Sequence, residues 1–308
     1  MIEPGKRVRT WSSLWTVYLV WGSTYFAIAK TVETMPPLLS MGVRFIAAAL
    51  LLATYIYFRK GLAEFKVPKK EILAASFLGI LTLAAGIGTV AIAEEHIPTG
   101  VASLIIAALP LWIALFRTIA RERISKFTWL GTLVGFVGVV VLLQPGSIEP
   151  IRDATSTEVT FYMFLVLIGN ISFALGTYIS PRFSLPRNLL LFTTIEMAAA
   201  GIFMLIAALL RGEDFSKLSQ ASISSWLWFA YLVIVGSIFA YTAYLWLVVN
   251  APVSLIATYA YVNPVIAILL GILFLDEVIT SSYAIGGLII LLGVLTVVTS
   301  ESRTKEPK

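Results

Sequence analysis

The chain has 308 residues, of which 59% are hydrophobic and only 13% charged, and its mean hydropathy is +0.92. A soluble domain of this length could not bury so much apolar surface, so the composition predicts a protein whose solvent is lipid. The absence of cysteine excludes disulfides and thiolate sites, and the single histidine, His96, argues against a histidine-rich metal site. The net charge of +5 does not point to nucleic acid, because Lys and Arg are concentrated in particular loops.

The apolar residues fall into consecutive runs that are separated by charged or turn-rich stretches. A helix needs about 20 mostly apolar residues to cross the roughly 30 Å hydrocarbon core of a bilayer. The runs predict ten transmembrane helices, at residues 12–29, 37–58, 71–92, 98–117, 126–143, 159–179, 189–210, 225–249, 253–274 and 280–299.

One pattern occurs twice in the chain, at residues 98–143 and again at 252–298. Each copy is an apolar helix with an internal proline, then a short charged turn, then a glycine-rich apolar helix. Pro110 of the first copy corresponds to Pro264 of the second. A repeat of this length predicts two homologous halves.

The duplication also predicts the domain organisation. Residues 1–143 and 159–308 are the two five-helix units, and residues 144–158 are the linker between them. An odd number of helices in each unit means that the second unit enters the membrane from the opposite face. The predicted fold is therefore an all-α polytopic membrane protein built from two inverted five-helix repeats. Such repeats favour a carrier whose central site opens to each side in turn.

The distribution of positive charge predicts the orientation. Most of the 22 Lys and Arg residues fall in segments on the N-terminal side of the membrane, and short loops rich in these residues stay in the cytoplasm. Both termini are therefore expected in the cytoplasm. The run Ala27-Ile28-Ala29 formally matches a signal-peptidase site, but an uncleaved first helix is favoured because cleavage would leave unequal halves.

Polar and aromatic residues interrupt the middle of the first and sixth helices. The first contains Trp21-Gly22-Ser23-Thr24-Tyr25, and the sixth contains Asn170 at an approximately equivalent position. Glycine lets backbones approach, and Ser, Thr and Asn can bond across helices. Trp21, Ser23, Tyr25 and Asn170 therefore line either a cavity or a close helix contact.

The two deepest ionisable residues are Arg44 in the second helix and Glu196 in the seventh. At 1.5 Å per residue, each lies about 10 Å into the membrane. Charges at this depth mark a pathway or a buried pair. Arg44 and Glu196 are predicted to be charge partners or gates, with Glu196 as a proton-responsive group. The alternatives are that Arg44 extends to the interface and that Glu196 is neutral or hydrogen-bonded.

Pro110 and Pro264 lie inside the fourth and ninth helices, where proline frees the carbonyl four residues earlier. The freed carbonyls belong to Ile106 and Ala260, and they need a neighbouring helix, water or a cavity. Asn263 adds a polar side chain beside the second break. Both prolines indicate either a binding surface or a simple packing kink.

Aromatic residues concentrate in the eighth and ninth helices. Tyr241 and Tyr244 are three residues apart and share a helix face, and Tyr259 follows in the ninth helix. These residues form either an aromatic wall for organic solutes or part of an interfacial belt.

Two further motifs have a structural interpretation. Glu94-Glu95-His96 is interpreted as an interfacial turn, because adjacent residues on a helix do not face one point. Gly131 and Gly135 have a spacing typical of a close helix contact. No phosphate-binding glycine loop, Walker lysine or catalytic triad occurs in the sequence, so no catalytic residue, cofactor or metal is predicted.

The order of these motifs resembles the drug/metabolite transporter superfamily. Trp21-Gly22-Ser23-Thr24-Tyr25 is followed by Pro36-Pro37 and Arg44-Phe45, and then by the two proline, glutamate-turn and glycine-helix copies. More narrowly, the chain is similar to the ten-helix EamA family of bacterial inner-membrane metabolite exporters. The resemblance covers about residues 12 to 299.

That resemblance implies an all-helical carrier that exports amino acids or other small metabolites through a central cavity by alternating access. The matching positions are Trp21, Ser23, Arg44, Pro110, Pro264 and the turns at Glu122 and Glu277. The two glutamates follow helix ends, so they are interpreted as caps or turn anchors and not as substrate ligands.

The sequence therefore predicts a secondary transporter of the bacterial inner membrane. Its partners are a small solute and the lipid bilayer, with no nucleic acid, and both a proton gradient and facilitated diffusion are open as the driving force. Drug or lipid-like solute efflux is the alternative, and a membrane enzyme acting on lipid-linked substrates is a weaker one. The predicted cavity residues are Trp21, Ser23, Tyr25, Asn170, Tyr241, Tyr244, Tyr259 and Asn263.

Overall fold

A computed structural model describes residues 4–149, 151 and 154–305, with only the backbone described for residues 4–6, 253–254 and 302–305. Within these residues the chain is helical and contains no strand. The long helices are α1 (Pro4–Val32), α2 (Pro37–Lys60), α3 (Lys69–Ala93), α4 (Thr99–Ile119), α5 (Lys126–Leu142), α6 (Ser156–Ile179), α7 (Leu189–Leu210), α8 (Ile223–Asn250), α9 (Tyr259–Phe274) and α10 (Ser281–Lys305). Shorter helical turns are Leu62–Phe65, Ser180–Arg182, Ser216–Gln220 and Val253–Ile256.

The outer surface of the helix bundle is apolar. Among the described residues, seven helices are long and apolar enough to cross a membrane, and α5 and α9 are shorter apolar helices. Large side chains such as Leu50, Phe58, Leu210 and Val249 point away from the bundle and are exposed. A soluble protein would not tolerate apolar patches of this extent. The fold is therefore that of a polytopic integral membrane protein.

Several predicted helix ends were wrong. α1 and α10 extend beyond the predicted residues 12–29 and 280–299. α6 begins inside the predicted linker, because Thr155 and Glu158 form a reciprocal capping box: each backbone N–H donates to the other side chain, at 2.8 and 3.2 Å. Linker residues 150, 152 and 153 lie outside the described residues, as do residues 1–3 and 306–308 of the two predicted units.

The predicted ninth helix is also interrupted. Its first turn, Val253–Ile256, is separated from α9 by a break at residues 257–258. Pro264 lies six residues beyond this break and inside the continuing helix. In the first half, by contrast, α4 is interrupted at Ala108, two residues before Pro110. The two prolines therefore have different local consequences.

Close glycine contacts join α5 to α10. Gly131 faces the carbonyl of Gly293, and Gly138 faces the backbone of Gly286 and Ile290. A β-carbon on Gly138 would lie 2.6 Å from the amide nitrogen of Ile290, which is closer than packing permits. The predicted helix contact of the glycine-rich fifth helix is therefore confirmed.

Gly138→Val should destabilise the protein by about 3 kcal/mol, at the upper end of typical overpacking costs, because backbone and not a flexible side chain fills the space. The measured quantity is the midpoint temperature of unfolding in detergent, at which half of the protein is no longer monodisperse. Ala284→Val on the exposed face of α10 is the matched control and should leave the midpoint unchanged. Equal midpoints for the two variants would contradict a tight α5–α10 contact.

Hydrogen bonds between turns define two ends of the bundle. At the first, named the Glu277 end, the amides of Leu38 and Leu39 in α2 donate to Glu213 and the amide of Thr99 in α4 donates to Glu277. At the opposite end, named the Glu122 end, the hydroxyl of Tyr178 donates to Glu122 in the turn after α4. α4 packs on α9 only through its part nearer the Glu277 end, while its other part packs on α5 and α6.

Candidate functional site

A cavity of about 180 Å³ lies in the middle of the bundle. Every long helix except α5 and α10 contributes to its wall. The lining residues are Trp21, Thr24, Tyr25, Ile28, Arg44, Phe45, Leu83, Gly86, Ile87, Val90, Ile106, Leu109, Asn170, Phe173, Met197, Gly236, Ser237, Tyr241, Tyr259 and Asn263. The wall is mostly apolar and carries a few polar groups, as is typical of small-molecule sites.

Most of the sequence-predicted site residues meet at this cavity. Those that line it are Trp21, Tyr25, Arg44, Asn170, Tyr241, Tyr259 and Asn263. Ser23, Tyr244, Glu196, Pro110 and Pro264 do not line it. The hydroxyl of Ser23 is instead hydrogen-bonded to the hydroxyl of Tyr231, at 2.7 Å.

The aromatic residues form one connected cluster. The ring of Trp21 lies 5.0 Å from that of Tyr244 and 5.4 Å from that of Tyr259, measured between centroids. Tyr241 lies 6.0 Å from Tyr244. Tyr244 therefore packs behind the cavity wall and holds the rings that face the cavity, at separations favourable for aromatic pairs.

Arg44 carries the positive charge of the cavity. It is only 4% exposed, and its Nε donates to the hydroxyl of Ser237 at 3.0 Å. Its other recorded partners are the sulfur of Met41, at 3.5 Å, and the ring of Phe45, at 5.0 Å. Among the described residues no carboxylate forms an ion pair with Arg44. The guanidinium thus reaches the cavity without a protein counter-charge.

Glu196 is not the partner of Arg44. It is 5% exposed on α7, and the hydroxyl of Tyr241 donates to its Oε2 at a long 3.5 Å. The predicted charge pair is therefore absent in this state of the protein. The sequence could not reveal this, because equivalent depth in two helices does not determine which faces of those helices meet.

Two asparagines supply further polar groups. Asn170 donates to the carbonyl of Ile105 at 2.6 Å, close to the interruption of α4 at Ala108. The side-chain oxygens of Asn170 and Asn263 are buried and have no hydrogen-bond partner. Buried acceptors of this kind are normally satisfied, so two asparagines of the cavity wall carry acceptors without a described partner.

Two π-helical segments form part of the cavity wall and were missed by the sequence analysis. They are Ile80–Ile87 in α3 and Leu232–Phe239 in α8, and they occupy equivalent positions in the two halves. They contribute Gly86, Gly236 and Ser237 to the wall. π-helical turns inside α-helices are often found at functional sites. No periodic pattern of residue types predicts these π-helical segments, because only backbone hydrogen bonding distinguishes them from α-helix.

The two repeated glutamate turns have the same backbone shape. Arg121 and Asp276, which precede the glutamates, both adopt a left-handed conformation, with φ of 59° and 54°. The next amide then donates back into the preceding helix, from Glu122 to Arg117 at 2.9 Å and from Glu277 to Gly271 at 3.2 Å. The duplication thus extends to the turn geometry.

The two turns differ in what their carboxylates bind. Glu277 accepts hydrogen bonds from the amides of Thr99, at 2.6 Å, and Gly100, at 3.3 Å, so it caps the first turn of α4. Gly271 leaves room for this carboxylate, since a β-carbon there would collide with it. The interpretation of Glu277 as a cap is confirmed.

Glu122 binds Arg117 near the end of α4 and two residues at the end of α6. It is exposed, and it binds Arg117 at 2.9 Å, the hydroxyl of Tyr178 at 2.8 Å and Arg182 at 3.8 Å. The hydrogen bonds from Arg117 and Tyr178 hold the pKa of the Glu122 carboxyl below its ordinary value. The Glu122 turn is thus joined to the end of α6, whereas the Glu277 turn is joined to the start of α4.

Known proteins are similar to this chain in sequence or in fold. The inner membrane transporter YedA of Escherichia coli K12 is 37% identical over 260 residues, covering 84% of this chain and 80% of YedA. The protein PecM of Dickeya dadantii is 24% identical, covering 94% of this chain and 93% of PecM. A solved crystal structure has a TM-score of 0.63 at 19% identity and covers 96% of this chain and 98% of its own, which shows the shared fold alone.

A family model adds the assignment. The model of the EamA-like transporter family matches residues 12–144 and again residues 160–299. Each match contains one copy of the repeated sequence pattern, at residues 98–143 and 252–298. Together with the helical membrane fold and the central cavity, they imply a membrane-embedded carrier of a small solute. Because the matches span nearly the whole chain, the protein belongs to the EamA-like transporter family and is a membrane transporter.

Proposed function

We propose that the protein is a secondary transporter that exports amino acids or similarly small carboxylate-bearing metabolites across the bacterial inner membrane. The observation that carries this proposal is the guanidinium of Arg44, which reaches an aromatic cavity without a carboxylate partner. A buried, unpaired charge is unfavourable. A solute carboxylate would supply the missing counter-charge, in the planar geometry that arginine recognises.

The rest of the cavity suits the other parts of such a solute. The free oxygens of Asn170 and Asn263 can accept hydrogen bonds from an ammonium or amide group. Trp21 and Tyr259 offer apolar ring surface to a side chain. A volume of about 180 Å³ limits the solute to a small metabolite.

The proposed topology has ten membrane crossings in two inverted five-helix repeats, residues 1–143 and 159–308. Both termini would be cytoplasmic, as the distribution of Lys and Arg favours. The Glu277 end then faces the outside and the Glu122 end faces the cytoplasm. With α4 fastened to the Glu277 turn, the described state is closed to the outside.

Alternating access follows from exchanging the roles of the two glutamate turns. When the outer end opens, the Glu277 turn releases the amides of Thr99 and Gly100. By the repeat symmetry, the Glu122 turn then caps the backbone at residues 253–254, the first turn before α9. Each turn would thus form the closed gate in one of the two states.

Proton coupling is a separate element of the proposal. Glu196 lies behind Tyr241, outside the cavity wall, and is the proposed proton-responsive group. If a proton gradient drives export, Glu196→Gln should abolish gradient-driven accumulation while exchange of labelled for unlabelled solute continues. If transport is facilitated diffusion, the variant should match the parent protein at every pH.

Counterflow in proteoliposomes tests the proposed substrate class. Liposomes loaded with a pool of unlabelled amino acids should accumulate one labelled amino acid transiently, and empty liposomes should not. Folded protein that carries no amino acid, short peptide or small organic acid would contradict the carboxylate assignment. A pH gradient imposed in a parallel experiment reports on coupling.

The apolar majority of the cavity wall favours one second candidate, an efflux carrier for drugs or lipid-like solutes. Lipophilic cations and fluorescent lipids in the same counterflow assay discriminate between the two. Glu94 and Glu277 bring two carboxylates to one end of the bundle, but this does not support the enzyme hypothesis, because Glu94 is only 1% exposed in the described state.

A further inference from the structure

The turn after α3 buries a carboxylate that the proposed transport cycle does not use. Glu94 is 1% exposed, and neither of its oxygens makes a hydrogen bond of normal geometry. Its interaction with the backbone of Ala29 in α1 is weaker than the effect of its burial. A charged carboxylate in such a place would be strongly unfavourable, because nothing replaces the water it has lost.

A second carboxylate, that of Glu277, lies at the same end of the bundle as Glu94. Glu277 acts on Glu94 through its charge and is itself held by the amides of Thr99 and Gly100. Those amides form the first turn of a helix, which favours a negative charge. Beside them, the hydroxyl of Tyr283 is buried and has no partner. The ionised form is therefore stabilised at Glu277 and not at Glu94.

Within the part of the chain that the structure describes, the surroundings of the two acids offer them no ion pair. Lys30, the cation of α1 near this end of the bundle, forms an ion pair with Glu33, with 2.7 Å between Nζ and Oε1. Glu95 adjoins the cluster, His96 is stacked on a ring of α6, and Asp276 is exposed. The facing parts of α2 and α4 carry no charged side chain. Within the described residues, no Lys, Arg or His forms an ion pair with either acid.

The electrostatic effect on the two acids follows from this arrangement. Burial raises the pKa of the Glu94 carboxyl well above its ordinary value, and the charge of Glu277 raises it further. Burial also raises the pKa of Glu277, but the hydrogen bonds from Thr99 and Gly100 oppose that rise. A single proton shared by Glu94 and Glu277 therefore resides on Glu94.

We propose that Glu94 is a proton-binding site of the outer gate. Its carboxyl carries a proton while α4 is docked on the Glu277 turn, and it exchanges that proton with the outer solution when the gate opens. The inference rests on the alternating access and orientation of the proposed function. It differs from the role of Glu196, because the proton of Glu94 is bound and released on the same side.

The sign of the pH effect follows from linkage. An acid with a higher pKa in the closed state takes up a proton on closing, so low outer pH favours the closed gate. As the pH rises above the ordinary pKa of a glutamate, about 4.3, closing becomes harder by up to about tenfold per pH unit. The effect ends once the pH exceeds the raised pKa of the closed state.

Cysteine labelling from the outside measures gate opening, because the natural chain contains no cysteine. Ser103 lies on α4 one turn below Thr99 and is 1% exposed, so Ser103→Cys should react with a membrane-impermeant reagent only when the outer gate opens. Ser219→Cys in the exposed outer loop gives the reference rate at each pH. The ratio of the two rates should rise at least tenfold between outer pH 6 and pH 8.

Glu94→Gln mimics the protonated carboxyl. In the Ser103→Cys background it should hold the labelling ratio at its pH 6 value throughout, whereas Glu94→Asp should keep the pH dependence. Glu95→Gln is the matched control, because it removes the adjacent carboxylate, and it should behave like the parent.

The outcomes separate this inference from the proposed function. The assignment of Glu94 would be overturned if Ser103→Cys is labelled at a ratio that does not change with pH. It would also be overturned if the ratio changes equally with pH in the Glu94→Gln variant. Ser103→Cys that never reacts at any pH, with or without solute, would overturn alternating access at this end and the assignment with it. Because the assay needs no substrate, a wrong solute class leaves its result unaffected.

Discussion

Arg44→Gln should lower kcat/KM for carboxylate solutes by about 100-fold, because each hydrogen bond to a charged group is worth about 1.5–3 kcal/mol. The guanidinium has no carboxylate partner among the described residues and reaches the cavity, so the variant removes the proposed counter-charge of the solute. The bond to Ser237 is lost as well, but glutamine can keep a polar contact there. Counterflow with the labelled solute measures the loss.

Two comparisons make the Arg44 result specific. Arg44→Lys should recover part of the activity, since it restores the charge but not the planar pair of donors. A neutral ester of the same solute, if carried at all, should be carried equally by the parent and Arg44→Gln. A variant that folds and transports the carboxylate at the parental rate would show that Arg44 is structural.

Glu277→Gln should shift the equilibrium of the carrier towards the state that is open to the outside. The variant weakens the cap on the amides of Thr99 and Gly100, and losing a helix cap costs about 0.5–2 kcal/mol. That range corresponds to an increase of about 3- to 30-fold in labelling of Ser103→Cys at fixed pH. Glu122→Gln should have the opposite effect, because Glu122 is proposed to close the cytoplasmic end in the other state.

Glu213 provides the control for this prediction. It caps the first turn of α2 from the same end of the bundle, through bonds of 3.3 and 2.9 Å to the amides of Leu38 and Leu39. The helix it caps packs tightly on α7 and takes no part in the proposed gate. Glu213→Gln should therefore leave labelling of Ser103→Cys unchanged. Equal increases in both variants would indicate general loosening of that end.

The burial of Glu94 is a tertiary feature that its local sequence does not predict. The run Glu94-Glu95-His96 was interpreted as an interfacial turn, and its backbone is indeed a turn. The burial of Glu94 was not predictable, because it depends on tertiary packing and because Glu277, which acts on it through its charge, is 183 positions away. A polar residue at a helix end is usually solvated, so local context gave the opposite expectation.

The sequence by itself determined the class, the duplication and several polar and aromatic residues of the cavity wall. Composition dictates lipid as the solvent, and polar or aromatic residues in apolar helices mark positions that must avoid lipid, as Trp21, Asn170 and Asn263 do. The tertiary structure alone decided that Arg44 binds Ser237 and not Glu196, that π-helical turns shape the wall, and that one glutamate turn caps α4 while its copy binds the end of α6. The reason is physical: periodicity along one helix shows which residues avoid lipid, but the partner of a buried charge depends on the rotation and contact of helices far apart in sequence.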